Sequence, residues 1–200
     1  KTAYEIGDKL LTPAKEESAT GAFTEQITDM LSQPATLTID RQGDYPSFGA
    51  VVTMRRVDMD EISAVGCAEL KITKRMSVFN GREWVPATAC KVGDRVKVTL
   101  ILEADADMDY VVIQDHRAAG LEPVSQLPGS IWSEGLCFYS EPRDSQTNIF
   151  VSRMARGTYI LDYELFASQG GVFASGAAEV QSQYNPSIAA HSAGATITIE

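Results

Sequence analysis

The alternation of apolar and polar residues is clearest just after the turn at Gly93. Every second residue is apolar there, which predicts a strand with one face in a core. The residues on that face are Val96, Val98, Leu100 and Leu102. An acidic turn at 105–109 and a second apolar run at 110–113 follow, and a polar loop occupies 115–123. We therefore predict two core strands on which the remaining segments can pair.

Short apolar segments separated by turn residues continue along the whole chain. This spacing favours a β-sandwich, and the Asn80-Gly81 pair is a strong hairpin signal. The other predicted strands cover 3–6, 35–40, 48–54, 68–79, 84–85, 135–140, 148–151, 158–167, 177–184 and 195–199. Residues 22–31 fit either a strand or helical turns, and 185–192 have room for one turn of helix. The predicted fold class is all-β, an antiparallel β-sandwich preceded by a smaller strand-rich unit.

Two domains are predicted, with the division near an acidic stretch at 57–65 that has no strong period. Residues 1–66 form the smaller unit and residues 67–200 form the sandwich. The strand at 68–79 alternates as a half-buried strand does, with Lys74 as the exception on its inward face. The apolar residues on that face are Leu70, Ile72, Met76 and Val78.

The composition is typical of a folded protein and argues against some classes of binding partner. It has 200 residues, 44% of them hydrophobic, and a net charge of -10. This charge argues against nucleic acid and anionic membrane surfaces, and no apolar run approaches the ~20 residues that span a bilayer. Because the chain starts at Lys1 without Met and ends in a predicted strand, we expect it to be part of a longer protein.

The cysteine pattern excludes two classes of small domain. Cys67, Cys90 and Cys137 cannot all pair within one chain, and no CxxC occurs. The chain is therefore neither a disulfide scaffold nor a zinc cluster. We expect three small, buried apolar residues, and one bridge with a spare thiol is the alternative.

No stretch carries the signature of a catalytic or metal site. Asp105, Asp107 and Asp109 alternate as calcium ligands do, but the required glycine and glutamate are replaced by Tyr110 and His116. An acidic turn is the expected structure. The two histidines accompany no GxSxG sequence, and nothing distinguishes one pair of carboxylates for glycoside hydrolysis. We expect no catalytic residue, no cofactor and no metal.

The polar loop at 115–123 reads Asp-His-Arg-Ala-Ala-Gly-Leu-Glu-Pro and has two interpretations. In the structural interpretation, Arg117 pairs with Asp115 or Glu122 and fixes the loop. In the functional interpretation, the loop docks on a neighbouring domain. The residues favour the structural interpretation without excluding the other.

Residues 68–200 resemble the C-terminal macroglobulin domain of bacterial α2-macroglobulin-like proteins. The resemblance rests on several short motifs in the right order: the Gly-Asp turn at 93–94, Met-Asp-Tyr-Val at 108–111, the loop at 115–123, Tyr139 followed by Arg143-Asp144, Gly-Thr-Tyr at 157–159, the glycines of 171–176 and Tyr-Asn-Pro at 184–186. Residues 1–66 match less sharply and resemble the CUB-like segment of that family, through Phe-Gly-Ala at 48–50.

The resemblance implies a macroglobulin-like, immunoglobulin-like sandwich that is not an enzyme. Full-length relatives trap proteases, and a thioester in the sequence Cys-Gly-Glu-Gln can capture the attacker. That sequence is not in this chain, so the implied role is interdomain packing and conformational locking in the bacterial cell envelope. The implied partners are other domains of the same protein and, through the whole protein, target proteases. The residues implied to make interdomain contacts are Asp115, Arg117, Glu122, Tyr184 and Pro186.

Two other functions stay open from the residues alone. The first is an independent extracellular β-sandwich that binds carbohydrate or protein, which a platform of exposed aromatics such as Trp84 or Trp132 would favour. The second is a hydrolase without a recognised motif, which would need two close carboxylates or a Ser-His pair in a cleft.

Overall fold

The computed structural model describes residues 2–6, 9–11, 36–41, 52 and 56–200. The chain divides into two compact units, 1–54 and 55–200. In the first unit, β1 (Thr2–Ile6) pairs in antiparallel fashion with β2 (Lys9–Leu11) and β3 (Leu37–Arg41). The strands predicted at 3–6 and 35–40 are therefore present. The strand predicted at 48–54, apart from residue 52, and the ambiguous segment at 22–31 lie outside the described residues.

The second unit is built of strands, with one 3-10 turn at Met59–Glu61. Its strands are β4 (Leu70–Phe79), β5 (Trp84–Pro86), β6 (Ala89–Cys90), β7 (Arg95–Ala104), β8 (Met108–His116), β9 (Leu121–Pro123), β10 (Gly129–Ser133), β11 (Leu136–Pro142), β12 (Gln146–Met154), β13 (Gly157–Ala167), β14 (Gly171–Ser175), β15 (Ala178–Ser182), β16 (Ala189–His191) and β17 (Ala195–Ile199). Across the described residues we find no helix with the length and hydrophobicity needed to cross a bilayer.

Two antiparallel sheets enclose the core of this unit. The front sheet has the order β10-β11-β12-β8-β15-β16, and the back sheet has the order β5-β4-β7-β13-β9. A third, smaller sheet contains β14, β17 and β6, and in it β17 runs parallel to β6. The predicted all-β class and the antiparallel sandwich are therefore confirmed.

The core lies between the front and back sheets, on the faces that the period of two predicts. The inward residues of β7 are buried, and each is paired across the back sheet with an inward residue of β4 or β13. Burying a large apolar side chain stabilises a fold by ~1.5–3 kcal/mol, so this shared face is the main source of stability. The largest fully buried side chains include Leu70, Leu100, Leu102, Ile113, Leu121, Met154, Leu161 and Leu165.

The two strands predicted to organise the chain belong to different sheets. β7 is the central strand of the back sheet, and β8 lies inside the front sheet. The acidic turn between them is therefore a crossing from one sheet to the other. It is fastened by Arg156, whose side chain lies 2.7 Å from Asp105 and whose backbone N donates to Oδ1 of Asp107 at 2.8 Å.

The short strands β6, β9, β10, β14 and β16 were not predicted, whereas the edge strand β5 and strand β17 of the third sheet were. β9 lies inside the segment interpreted as a polar loop, and β10 and β14 begin at glycines that read as turns. The turn of helix suggested for 185–192 is wrong, because this fully described segment contains β16 and no helix. β9 gains its partner β13 from a distant segment, which local patterns do not reveal, whereas β10 pairs with the adjacent β11.

Residues just before β4 pack within the second unit. Val65 forms a backbone bridge with His191, so residues 55–66 lie in the same compact unit as the sandwich. The assignment of residues 1–66 to a CUB-like segment stays a prediction.

All three cysteines are free: Cys90 is buried, Cys67 is half-buried and Cys137 is exposed. The predicted burial therefore holds for Cys90 and is wrong for Cys137.

Candidate functional site

A buried ion pair joins the two sheets. The Nζ atom of Lys74, on the inner face of β4, lies 2.6 Å from Oδ1 of Asp115, on the inner face of β8. Their side chains are only 3% and 0% exposed. Lys74 therefore interrupts the apolar face of β4 because its partner lies in the facing sheet. An uncompensated charge at this depth would cost several kcal/mol, so the pairing is a condition for burying either group.

Oxygen atoms from two chain segments complete the environment of Lys74. Its Nζ donates to the backbone O of His116 at 2.7 Å, to Oγ of Ser175 at 2.8 Å and to the backbone O of Gly176 at 3.1 Å. These atoms come from the end of β8 and the end of β14. The ammonium group is thus held in one position relative to Asp115.

Tyr163 binds the other oxygen of the same carboxylate. This residue lies on β13 in the back sheet, and its hydroxyl donates to Oδ2 of Asp115. Burial raises the pKa of Tyr163 well above its ordinary value, and the negative charge of Asp115 raises it further. The phenol therefore stays protonated and acts as a donor. Lys74, Asp115 and Tyr163 form what we call the intersheet cluster.

Arg117 fixes a turn of the front sheet from inside the domain. It is 9% exposed, and its Nη2 donates to the backbone O of Arg143 at 2.6 Å and to the backbone O of Asp144. Its backbone N donates to the O of Ser145 at 2.9 Å. The expected structural role is present, but the expected partners, Asp115 and Glu122, are wrong. Asp115 pairs with Lys74 instead, because Lys74 meets it directly across the core.

The outer face of the front sheet carries an apolar row. Tyr139 on β11, Phe150 on β12 and Val112 on β8 are consecutive cross-strand neighbours. The rings of Tyr139 and Phe150 lie 6.5 Å apart, and these residues are 42% and 39% exposed. Trp132, on the edge strand β10, is 73% exposed on the same face. Contiguous exposed aromatic residues of this kind are typical of interaction surfaces.

The outer face of the back sheet has a different character. Arg95 pairs with Glu164, and Lys97 lies 3.4 Å from Asp162. Lys97 also lies 5.3 Å above the ring of Trp84, which is half-buried. Such exposed charged pairs contribute ~0–1 kcal/mol each and are typical of a face in contact with water. The outer face of the back sheet thus differs from that of the front sheet in its paired charges, although it also exposes Ile160 and Phe166.

A second aromatic pair lies where β8 meets the end of β15. The rings of Tyr110 and Tyr184 are 5.1 Å apart and perpendicular, and the N of Gln183 donates to the O of Tyr110 at 2.9 Å. Tyr110 has a φ of 55°, which is uncommon for a bulky residue. The backbone thus holds two exposed tyrosines together at one end of the front sheet.

The family model for the bacterial alpha-2-macroglobulin MG10 domain matches residues 70–187. This segment contains the intersheet cluster and the apolar row. The chain belongs to the bacterial alpha-2-macroglobulin family. The predicted family resemblance is therefore confirmed. No curated protein sequence matches the chain.

Solved bacterial alpha-2-macroglobulins share the fold of this domain. Salmonella alpha-2-macroglobulin reacted with methylamine is 21% identical, with a TM-score of 0.58 over 68% of this chain and 9% of that one. Escherichia coli alpha-2-macroglobulin activated by porcine elastase is 20% identical, with a TM-score of 0.59 over 69% and 14%. The native conformation of the Escherichia coli protein is 17% identical, with a TM-score of 0.54 over 82% and 11%. The present chain thus spans about a tenth of the length of these proteins.

The five predicted contact residues of this macroglobulin domain fall in three places. Asp115 and Arg117 lie close together in the interior and bind partners within the domain. Tyr184 and Pro186 are exposed in the loop between β15 and β16. Glu122 is exposed on β9, opposite Phe166 in the back sheet. Their contact with other domains stays a prediction, and the exposed residues are the ones whose side chains are free to make it.

Two sets of residues in the macroglobulin domain were missed from the sequence. The apolar row was missed although a signal existed: Tyr139 and Phe150 occupy outward positions of adjacent strands, where a solvent face should be polar. The pairing of Lys74 with Asp115 had no local signal, because the two residues meet only across the core.

Within the ranges that the structure describes, no group of His, Cys, Asp or Glu is arranged to hold a metal ion.

Proposed function

We propose that this macroglobulin domain is a non-catalytic packing and locking element of a bacterial protease trap in the cell envelope. Its partners are other domains of the same polypeptide, and target proteases meet it through the whole protein. The contrast between the two outer faces carries this proposal. The front sheet presents an uncharged apolar row, whereas the back sheet presents paired charges.

The chemistry of the apolar row fits a domain interface. Tyr and Trp are enriched at interaction hot spots because a large, rigid ring buries much area with little loss of side-chain freedom. Tyr139, Phe150 and the nearby Trp132 provide such rings. The exposed pair of Tyr110 and Tyr184 extends the aromatic surface at one end of the same sheet. A neighbouring domain seated on this face would remove these side chains from water.

The matched substitutions Phe150→Ser and Ile160→Ser in the full-length protein test the proposal. Phe150 is 39% exposed on the apolar row, and Ile160 is 38% exposed on the charged face of the back sheet. Both variants remove a similar area from an outward strand position. The measurements are the rate of limited proteolysis of the untreated protein and the fraction of a test protease that it retains.

We expect Phe150→Ser to weaken the interface by about 1–2 kcal/mol, to speed cleavage and to reduce retention of the protease. Ile160→Ser should behave as the unmodified protein does. If the two variants had equal rates of proteolysis and retained equal fractions of protease, the front sheet would have no role in locking. If Glu122→Ala were the only variant that lost retention of the protease, the interface would be assigned to the back sheet.

A further inference from the structure

The intersheet cluster brings an amine and a carboxylate into direct contact in the interior of the domain. Nζ of Lys74 lies 2.6 Å from Oδ1 of Asp115, and both side chains are almost fully buried. The two residues lie on interior strands of opposite sheets. The hydrogen bonds on the amine and on the second carboxylate oxygen satisfy the buried groups and hold both of them in fixed positions.

We propose that Lys74 and Asp115 condense into an intramolecular amide bond that joins the two sheets covalently. The ammonium group first gives one proton to Oδ1 of Asp115, which yields a neutral amine and a neutral acid. Nζ then attacks Cγ, the N–C bond forms and the C–Oδ1 bond breaks. The departing oxygen carries that proton and a second proton from the nitrogen and leaves as water. Atoms and charges balance without an oxidant, a metal or another reactant.

The surrounding groups are placed to assist this step. Tyr163 donates to Oδ2, the atom that becomes negatively charged during attack and then becomes the amide oxygen. A donor already in place at such an oxygen stabilises the charge as it develops. Ser175 Oγ and the O of His116, at 2.8 and 2.7 Å from Nζ, orient the nitrogen by accepting hydrogen bonds from it.

The fold also supplies the two general conditions for condensation. Reacting groups held by a rigid scaffold reach effective concentrations of about 10⁵–10⁸ M in favourable cases. Exclusion of water favours loss of a water molecule and protects the product against hydrolysis. The product is neutral, so it removes the desolvation penalty of two buried charges. The bond would tie β4 to the end of β8 inside the domain.

The test is the intact mass of the folded 200-residue chain, measured after denaturation. The expected mass is that of the sequence less one water molecule, and trypsin should leave residue 74 uncut within a branched peptide that contains Asp115. A mass equal to that of the sequence, after prolonged incubation of the folded chain, would overturn the proposal.

Variants separate the bond from other causes of mass loss. Lys74→Arg keeps the positive charge and should retain its full mass, whereas Lys71→Arg, on the exposed face of the same strand, should still lose water. Asp115→Asn should lose ammonia instead and give the same product mass as the unmodified chain. Tyr163→Phe should form the bond more slowly. Loss of water in Lys74→Arg would contradict the assignment of the bond to Lys74. Circular dichroism verifies that each variant is folded.

Discussion

Tyr163 reaches across the core from the back sheet and donates a hydrogen bond to Asp115 of the front sheet. Burial, and then the charge of Asp115, raises the pKa of Tyr163. The folded state therefore holds this proton more tightly than the unfolded state does. The resulting stability is fully present below about pH 10, the ordinary tyrosine pKa, and is lost as pH rises through the folded value.

Tyr163→Phe should accordingly change the alkaline part of the stability profile. We expect a decrease of about 1–3 kcal/mol in the free energy of unfolding at neutral pH, because a buried acceptor loses its donor. Above about pH 10, the variant should lose stability with a shallower slope than the unmodified chain. Urea unfolding at a series of pH values measures both effects. Tyr184→Phe, at an exposed position, should keep the original slope; an identical slope for Tyr163→Phe would contradict the prediction.

Arg117→Ala should loosen the turn between β11 and β12. The guanidinium group holds two carbonyl oxygens of that turn, and hydrogen bonds to a buried charged group contribute about 1.5–3 kcal/mol. We expect a loss of that size in urea unfolding and faster tryptic cleavage after Arg143. Lys97→Ala is the control, because Lys97 pairs with Asp162 on the outer face of the back sheet. That variant should lose less than about 1 kcal/mol.

Gly194→Ala should displace the 3-10 turn at Met59–Glu61. A Cβ atom at position 194 would lie 1.7 Å from the backbone O of Met59, so one of the two backbones must move. Overpacking of this kind costs about 1–3 kcal/mol. Gly129→Ala places a Cβ with no heavy atom within 4 Å and should leave stability nearly unchanged. Equal unfolding midpoints for the two variants would show that the turn is not packed there.

The three cysteines should react with a thiol reagent in the order of their exposure. Cys137 is exposed, Cys67 is half-buried and Cys90 is buried. Burial raises the pKa of Cys90, and the nearby charge of Asp94 raises it further, so its reactive thiolate is scarce. We expect Cys90 to react roughly tenfold or more slowly than Cys137, since local opening must come first. Peptide mapping after timed alkylation gives the three rates, and rapid labelling of Cys90 would count against its position in the core.

Much of the fold follows from local alternation, because the long strands bury one face each. The inward residues of β7 and β13 show the period of two directly in the sequence. The assignment of β7 and β8 to different sheets does not follow, since a short acidic turn serves a hairpin equally well. The short strand β9 escaped prediction because it pairs with β13, which is far away along the chain. Strands β10 and β16 pair with the neighbouring strands β11 and β15, and they escaped prediction because the residues at or shortly before their starts indicate turns.

The candidate site was predictable only in part. The motif at 115–123 drew attention to Asp115 and Arg117, and both proved to be buried binding residues. Their partners were not predictable, because Lys74 and the carbonyl groups at 143–144 approach them only in the folded domain. The sequence did show that Lys74 places a charge on the otherwise apolar face of its strand. Its partner could be identified only once the position of the opposite sheet was known.

The sheet change between β7 and β8 has a consequence for folding. β7 lies between β4 and β13, so one of its edges has no strand to bind until residues 157–167 have joined the sheet. Pairings between distant segments slow folding, and an open strand edge invites pairing with other chains. The domain therefore passes through a stage at which β7 is paired along one edge only, and association between chains should be most frequent during that stage.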